Sequence, residues 1–178
     1  MYTIERLTAD ALLDSAEQLA ALLADTVADG SSLGFLAPLD PAEASVWWRA
    51  LAPEVEAGRL LLWVARADAD GRIAGTVQLR PAVTANGRHR GEVAKLMVRR
   101  ADRGQRLAGR LLAALEAAGT GHGLRLLVLD TETGSPAERM YGAAGWTRVG
   151  TIPGYATDPA GELHPTTVFF KALPAAAT

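Results

Sequence analysis

The chain of 178 residues contains no cysteine. This absence excludes disulfide bonds, thiolate metal sites and a cysteine nucleophile, and it fits a reducing compartment. The chain also has no run of about 18 apolar residues, the length that a membrane-spanning helix needs. Its first residues, MYTIERL, lack the basic and then apolar character of a signal peptide. We therefore expect a cytoplasmic protein without a membrane partner.

Neither sign of charge predominates, because 18 Lys and Arg face 20 Asp and Glu, for a formal charge of −2. Binding to nucleic acid usually needs a basic surface, so we expect no nucleic-acid partner. His89, His122 and His164 lack the spacing of metal ligands, and we expect no metal. The absence of G-x-x-x-x-G-K-[ST], and of G-x-G-x-x-G after a strand, disfavours P-loop and dinucleotide-binding folds.

The chain does contain alternating strand and helix patterns. Its order, βααβββαβαββ, predicts an α/β (α+β) fold with a mixed sheet and helices on both faces. An Asp-Gly pair predicts a hairpin between RLLLWVARA and RIAGTVQL. We expect Pro53 to kink the second helix and GEVAKLMV to be buried on both faces. The length favours one domain over residues 1–173, followed by a flexible tail over residues 174–178.

The segment RRADRGQRLAGRLLAALEAAG, residues 99–119, is typical of a loop that runs into a helix. Leu107, Leu111 and Leu115 recur every four residues and form a face suited to packing on a sheet. The start of such a helix attracts anions through its unpaired N–H groups and its dipole. On these residues alone, a solvated face of arginines is an equally good interpretation.

Residues 103–108, R-G-Q-R-L-A, match the [RQ]-x-x-G-x-[GA] signature of the GNAT N-acetyltransferases, except that Arg106 replaces a glycine. The element SPAERMYGAAGW resembles the family's A-x-x-x-Y-x-x-x-G-[FW]. The segments LMV, LDTE-GS-AE, TRVG-PGY and LHPT are similar to the tabtoxin-resistance branch of the family. The resemblance covers most of the chain.

This resemblance implies a mostly antiparallel central sheet in which two central parallel strands splay apart and acetyl-CoA enters between them. Leu96, Met97 and Val98 would present a backbone edge to pantetheine, and an N–H near Leu96 or Met97 would polarise the thioester carbonyl. Gly134 and Ser135 stand where the family often has an asparagine that touches pantetheine. The amides expected around the pyrophosphate are those of Arg103, Gly104, Gln105, Arg106, Leu107 and Ala108.

Arg106 departs from the family's glycine. We expect helical dihedral angles at this residue, which suit arginine. Its side chain would then point outward, beside those of Arg103 and Arg110.

The resemblance also suggests how protons move. An amine attacks only when it is neutral, so the reaction needs a proton acceptor. Glu92 stands where several family members have a general-base glutamate, and Asp130 ends a strand at the ligand-binding end of the sheet. Tyr141 matches the tyrosine that protonates the departing CoA thiolate. Each residue also has a non-catalytic interpretation: Glu92 as an exposed carboxylate at a strand end, Asp130 as a turn aspartate and Tyr141 as a packed aromatic side chain.

Two segments, GSSLGFLAPLD and IPGYATDPAGELHP, are expected to build the acceptor pocket, with Ser32, Phe35, Tyr155 and His164 as candidate contacts. The resemblance implies a small amino-acid-like amine, such as tabtoxinine-β-lactam, and hence resistance to an antibiotic or toxin. A transferase for protein N-termini or lysines is one alternative, and an acyl-CoA-binding sensor without turnover is another. A monomer and a homodimer both remain open.

Overall fold

The computed structural model describes residues 1–175 and contains a seven-stranded sheet in the order β1-β2-β3-β4-β5-β7-β6. The predicted tail, residues 174–178, lies largely outside the described residues. The strands are β1 Tyr2–Arg6, β2 Leu61–Ala67, β3 Ile73–Pro81, β4 Arg90–Val98, β5 Leu126–Glu132, β6 Thr147–Thr157 and β7 Leu163–Ala172. The helices are α1 Ala9–Ala28, α2 Pro41–Arg49, α3 Ala52–Glu56, α4 Leu107–Gly121 and α5 Pro136–Ala143, with a 3₁₀ turn over Arg100–Asp102.

The two central strands, β4 and β5, are the one parallel pair in the described sheet, and they separate almost at once. Their register covers only Arg90–Glu92 against Leu126–Val128. Beyond Glu92, β4 stays paired with β3 up to Val98, while β5 stays paired with β7 up to Glu132. The predicted mixed sheet with splayed central strands is thus confirmed.

Apolar side chains alternate along the inner strands and form a core on each face of the sheet. On β2, Leu61 and Trp63 join the core beneath α4 and α5, whereas Leu62 and Val64 join the core beneath α1, α2 and α3. Leucines at helical spacing on α4 are almost completely buried, as predicted. Each such leucine contributes about 1.5–3 kcal/mol of transfer free energy. Helices on both faces are therefore confirmed.

The hairpin between β2 and β3 is antiparallel, as predicted, and Gly71 occupies a left-handed position in its turn. Pro53, however, does not kink a continuous helix. The chain leaves α2 at Arg49 and begins α3 at Ala52, so that Pro53 lies in the first turn of α3, where its missing N–H has no cost.

The prediction that β4 is buried on both faces is wrong. Gly91 and Val93 are buried, whereas Arg90 and Glu92 are exposed. Beyond the residues paired with β5, Ala94, Lys95, Leu96 and Val98 are only half-buried, because the separation of the two strands opens a cleft beside this part of β4. Within residues 1–175, no helix has both the length and the apolar content that crossing a bilayer requires.

Candidate active site

The separation of β4 from β5 opens a cleft of about 990 Å³. One of its walls, here called the contiguous wall, is a single stretch, residues 93–108, from β4 to the first turn of α4. A second wall, the loop wall, is formed by the loop after α1, residues 31–37, and by residues 156–165 of the β6–β7 hairpin. Residues 31–33, 156, 164 and 165 of this wall line the cleft. The predicted residues that line the cleft are Ser32, Leu96, Met97, Val98, Arg103, Gly104, Ala108, Asp130, Gly134, Ser135, Tyr141 and His164. The predicted residues outside this lining are Phe35, Glu92, Gln105, Arg106, Leu107 and Tyr155.

A β-bulge shapes the contiguous wall. Thr76 pairs with Met97 and Gln78 with Ala94, so that Lys95 and Leu96 together oppose Val77. Lys95 takes a left-handed φ of 52°. Bulges of this kind bend the strand that carries them. On the side away from β3, the backbone edge of β4 beyond Glu92 has no strand partner in the described chain.

The contiguous wall ends at the first turn of α4, which has no side-chain cap. Its first backbone N–H groups make no hydrogen bond to the described residues, so they remain available to an anion. Leu107 is itself buried in the core and does not line the cleft. Ala108 lines the cleft, and its small side chain leaves room for a ligand near these amides.

Arg106 does not have the helical dihedral angles that we expected. It takes a left-handed conformation, φ 57° and ψ 22°, immediately before α4. Arg103 is extended, so the chain must turn sharply within three residues to enter the helix. Glycine adopts this conformation without penalty, whereas another residue carries a cost of about 1–2 kcal/mol. The prediction failed because residue 106 precedes α4 and turns the chain into it, so it is not itself part of the helix.

The expected common face of three arginines is also wrong, because only Arg110 belongs to the helix. Arg103 lies 2.7 Å from Asp29 at the end of α1, and it lines the cleft. Arg110 donates to the carbonyl of Tyr2 at 2.7 Å. Arg106 is exposed at the entrance to the helix. The three side chains therefore serve different contacts.

Asp102 anchors the loop between β4 and α4, and the sequence reasoning missed it. Its side chain is buried, with 3% of the residue exposed. It accepts hydrogen bonds from Arg72 Nη1 at 2.6 Å, from Arg72 Nη2 at 3.1 Å and from Tyr2 Oη at 2.7 Å. Arg72 first, and then Tyr2, hold the pKa of this carboxyl below its ordinary value. The single acidic residue among the arginines of RRADR is the sequence signal that could have identified Asp102.

Tyr141, on α5, lines the cleft although only 6% of the residue is exposed. Its ring packs against Trp146, with ring centroids 5.8 Å apart, and against Phe169. Burial, followed by the nearby Asp130 carboxylate, raises the pKa of its hydroxyl far above the ordinary value. The hydroxyl therefore stays protonated at neutral pH.

Two predicted carboxylates lie on one face of the sheet, since Glu92 is in register with Val128 and Asp130 follows two residues later on β5. Asp130 is exposed to the cleft, and its Oδ2 accepts a hydrogen bond from Thr166 Oγ1 at 3.0 Å. Glu92 is exposed at the last paired position of β4, behind the point where the strands separate. Asp130 is therefore the carboxylate placed directly in the cleft.

Gly134 and Ser135 line the cleft at the start of α5, where a capping box engages them. Ser135 Oγ accepts from the Glu138 amide at 3.1 Å, and the Gly134 amide donates to Glu138 Oε2 at 2.6 Å. This reciprocal pair fixes the turn between β5 and α5. The Gly134 amide and the Ser135 hydroxyl, at the position of the family's pantetheine-contacting asparagine, thus have partners within the protein.

The loop wall is closed by hydrogen bonds between its two segments. Ser32 Oγ donates to the Thr157 carbonyl at 3.1 Å, and the Ala37 amide donates to the Pro159 carbonyl at 2.8 Å. His164 lines the cleft with Nε2 3.2 Å from Asp158 Oδ2. Tyr155 is 53% exposed and does not line the cleft.

Lys95 lines the cleft beside these residues, and it was not among the predicted ones. The chain has only one other lysine, Lys171. A cation in the otherwise apolar run VAKLMV is the signal that could have identified it. In the part of the chain that the structure describes, no group of three or more His, Cys, Asp or Glu is placed to hold a metal ion.

Comparison with known proteins agrees with this geometry. The model of the acetyltransferase (GNAT) family matches residues 27–146. A phosphinothricin acetyltransferase of the GNAT superfamily from Sinorhizobium meliloti, solved in complex with acetyl-CoA, superposes with a TM-score of 0.77 at 19% identity, over 99% of this chain and 91% of that one. An N-acetyltransferase from Staphylococcus aureus Mu50 gives 0.79 at 14% identity, over 98% and 99% of the two chains. A ribosomal-protein-alanine N-acetyltransferase from Brucella melitensis gives 0.75 at 20% identity, over 96% and 99%.

Proposed function

Since this chain belongs to the acetyltransferase (GNAT) family, we propose that it acetylates the primary amine of a small amino-acid-like acceptor. Membership makes the protein an acyltransferase whose acyl donor is acetyl-CoA. The observation that carries the choice of acceptor is the closed loop wall. Its two segments are joined by hydrogen bonds, and this arrangement suits a pocket for a small molecule better than a groove for a protein chain.

The contiguous wall has features that suit acetyl-CoA. The free edge of β4 around Leu96 and Val98 can accept pantetheine as an added strand would. The uncapped first turn of α4 offers N–H groups and the positive end of a helix dipole to the pyrophosphate. Gly104, at a φ of 81°, brings bare backbone to the same end of the cleft. Bound acetyl-CoA supplies the acetyl group as an activated thioester.

Asp130, with Glu92 behind it, is proposed to take the proton of the acceptor's ammonium. The amine nitrogen then forms a bond to the acetyl carbonyl carbon, and the carbon–sulfur bond breaks. Asp130 lines the cleft and can take the proton directly. Glu92 lies outside the cleft lining on the same face of the sheet, where it can act through a water molecule. Tyr141, which lines the cleft, donates its hydroxyl proton to the leaving sulfur and regains a proton from the acetylated nitrogen, which still has one to lose.

An amino-acid-like acceptor also fits the charges around the pocket. Asp130 offers a carboxylate to the ammonium, and Ser32 and His164 offer polar atoms at the loop wall. A phosphinothricin acetyltransferase is among the proteins of similar fold. We therefore include detoxification of an antibiotic or toxin, of the tabtoxinine-β-lactam type, in this proposal. The acetylation would take place in the cytoplasm, on a free small molecule.

The proposal is tested by measuring CoA release from acetyl-CoA with a panel of free amino acids and with peptides that carry the same N-terminal residues. We expect turnover with free amino acids and little with peptides. Preference for peptides would favour a protein acetyltransferase instead. Binding of acetyl-CoA without transfer to any amine would favour a sensor. In the same assay, Asp130→Asn and Glu92→Gln identify the main base as the variant with the larger loss of kcat at unchanged acetyl-CoA affinity.

A further inference from the structure

Lys95 is the one lysine in the cleft, and its backbone is strained to place it there. It occupies the bulge of β4 with a φ of 52°, a conformation that costs a non-glycine residue about 1–2 kcal/mol. Strain of this kind persists where the surrounding structure holds it, and it concentrates at functional sites. The bulge is therefore a feature for which a functional reason should be sought.

The ammonium of Lys95 is held by a partial set of contacts. Nζ donates to the Leu33 carbonyl at 2.7 Å, and it lies 5.6 Å from the ring centroid of Phe35 and 5.7 Å from that of Trp47. Phe35 and Trp47 themselves pack edge to face, with centroids 5.2 Å apart. Aromatic faces at these distances attract a cation, but they leave its hydrogen-bonding capacity incomplete.

No carboxylate of residues 1–175 forms an ion pair with Lys95 within 4.0 Å. Burial is the main influence on this ammonium and lowers its pKa. The charge of Arg80 lowers the pKa further, whereas the carboxylates of Asp130 and Glu92 raise it. Buried charges in folded proteins are usually paired. Here the Leu33 carbonyl and the rings of Phe35 and Trp47 take the place of a charged partner, and Lys95 lines the cleft.

The cleft is thus lined by a cation and a carboxylate whose charges act on one another, Lys95 on β4 and Asp130 on β5. An α-amino acid carries the complementary pair of charges, since its ammonium suits Asp130 and its carboxylate suits Lys95. The loop that carries Leu33 and Phe35 would close over the same group, because it already contacts Lys95.

We propose that Lys95 is the specificity-determining residue that binds the carboxylate of the acceptor, so that the enzyme prefers amines that carry an acidic group beside the nitrogen. This inference rests on the proposed function and narrows it to a class of acceptor. It assigns Lys95 to recognition of the acceptor and not to proton transfer.

The test compares free amino acids with their amides, which keep the amine and the side chain but lose the negative charge. We expect wild type to prefer the acids in kcat/KM. Lys95→Met should lower kcat/KM for the acids roughly 10- to 100-fold more than for the amides, the usual effect of losing a hydrogen bond between charged groups. Lys95→Arg, which keeps the charge, should restore part of the preference.

Acetyl-CoA affinity and the unfolding midpoint, measured for each variant, separate recognition from a folding defect. If Lys95→Met lowered kcat/KM equally for acids and amides, Lys95 would serve only to hold the loop, and the proposal would be wrong. Wild type that acetylates amides as well as acids would also overturn it, while leaving the acetyltransferase function intact. Wild type that acetylates no amine at all would instead count against the proposed function.

Discussion

The two walls of the cleft are attached to the fold in different ways. The contiguous wall is held by the buried Asp102, which joins β1 and the start of β3, and by ion pairs from Arg100 and Arg103 to the end of α1. The loop wall is joined across its two segments by hydrogen bonds of Ser32 and Ala37. A donor common to many reactions can be bound by a fixed backbone, whereas an acceptor that differs between enzymes suits loops that tolerate change.

The largest effect is expected at Tyr141, which faces the cleft from α5 and not from the loop wall. Tyr141→Phe keeps the ring packed on Trp146 but removes the proton proposed for the leaving sulfur. We expect kcat to fall about 10²- to 10⁴-fold. If the division between the walls is correct, steady-state assays will show a similar loss for every acceptor, with acetyl-CoA affinity unchanged. A loss confined to some acceptors would assign Tyr141 to acceptor recognition.

A smaller effect is expected when the anchor of the contiguous wall is removed. Asp102→Ala leaves Arg72 and Tyr2 without their shared partner, so we expect about 2–3 kcal/mol less free energy of unfolding in urea and weaker acetyl-CoA binding. Asp70→Ala is the matched control, because Asp70 contacts the same arginine at 3.6 Å from an exposed turn. Equal losses in the two variants would show that Asp102 has no special part in holding the wall.

The Asp102 contribution also has a defined pH dependence. Its pKa in the folded protein lies below the value in the unfolded chain, so the stabilisation is complete above the ordinary carboxyl pKa of about 4 and is lost as pH falls through the folded-state value. The difference in stability between wild type and Asp102→Asn should therefore shrink in acid. A difference that grew in acid would contradict the assigned sign.

The smallest effect is expected at Arg106. Arg106→Gly relieves a left-handed residue, and after the larger entropy of unfolded glycine is subtracted we expect a gain of about 0.5–1 kcal/mol in thermal unfolding experiments. Arg106→Ala, which keeps the left-handed cost, should show no such gain. Isothermal titration should find acetyl-CoA affinity no tighter in Arg106→Gly than in wild type. Tighter binding would mean that the arginine side chain obstructs the phosphate end of the cleft.

The contiguous wall was largely predictable from sequence, because it is one stretch of chain with a recognisable signature. Strand, loop and helix follow each other between Glu92 and Gly121, and the spacing of the leucines determines which face of α4 is buried. The backbone conformation of two residues was not predictable from the sequence. Arg106 and Lys95 both have a left-handed φ, although neither is a glycine.

The loop wall was much less predictable. Its segments are more than 100 residues apart, and the hydrogen bond from Ser32 to Thr157 leaves no periodic pattern in the chain. Lys95 was not predicted as a site residue, for a related reason. Its partners Leu33, Phe35 and Trp47 come from the first third of the chain, and only the folded sheet brings them to β4.

The three-residue seam between β4 and β5 also has a thermodynamic consequence. Strands β1 to β4 and strands β5 to β7 are almost two separate sheets, which meet only at Arg90–Glu92 and Leu126–Val128. A molecule that bridges the open part of this seam binds the folded chain and not the unfolded one. At a hundredfold excess over its Kd, such a ligand adds about 2.7 kcal/mol to the free energy of unfolding. The supply of acyl donor in the cell would then set the stability of the enzyme as well as its rate.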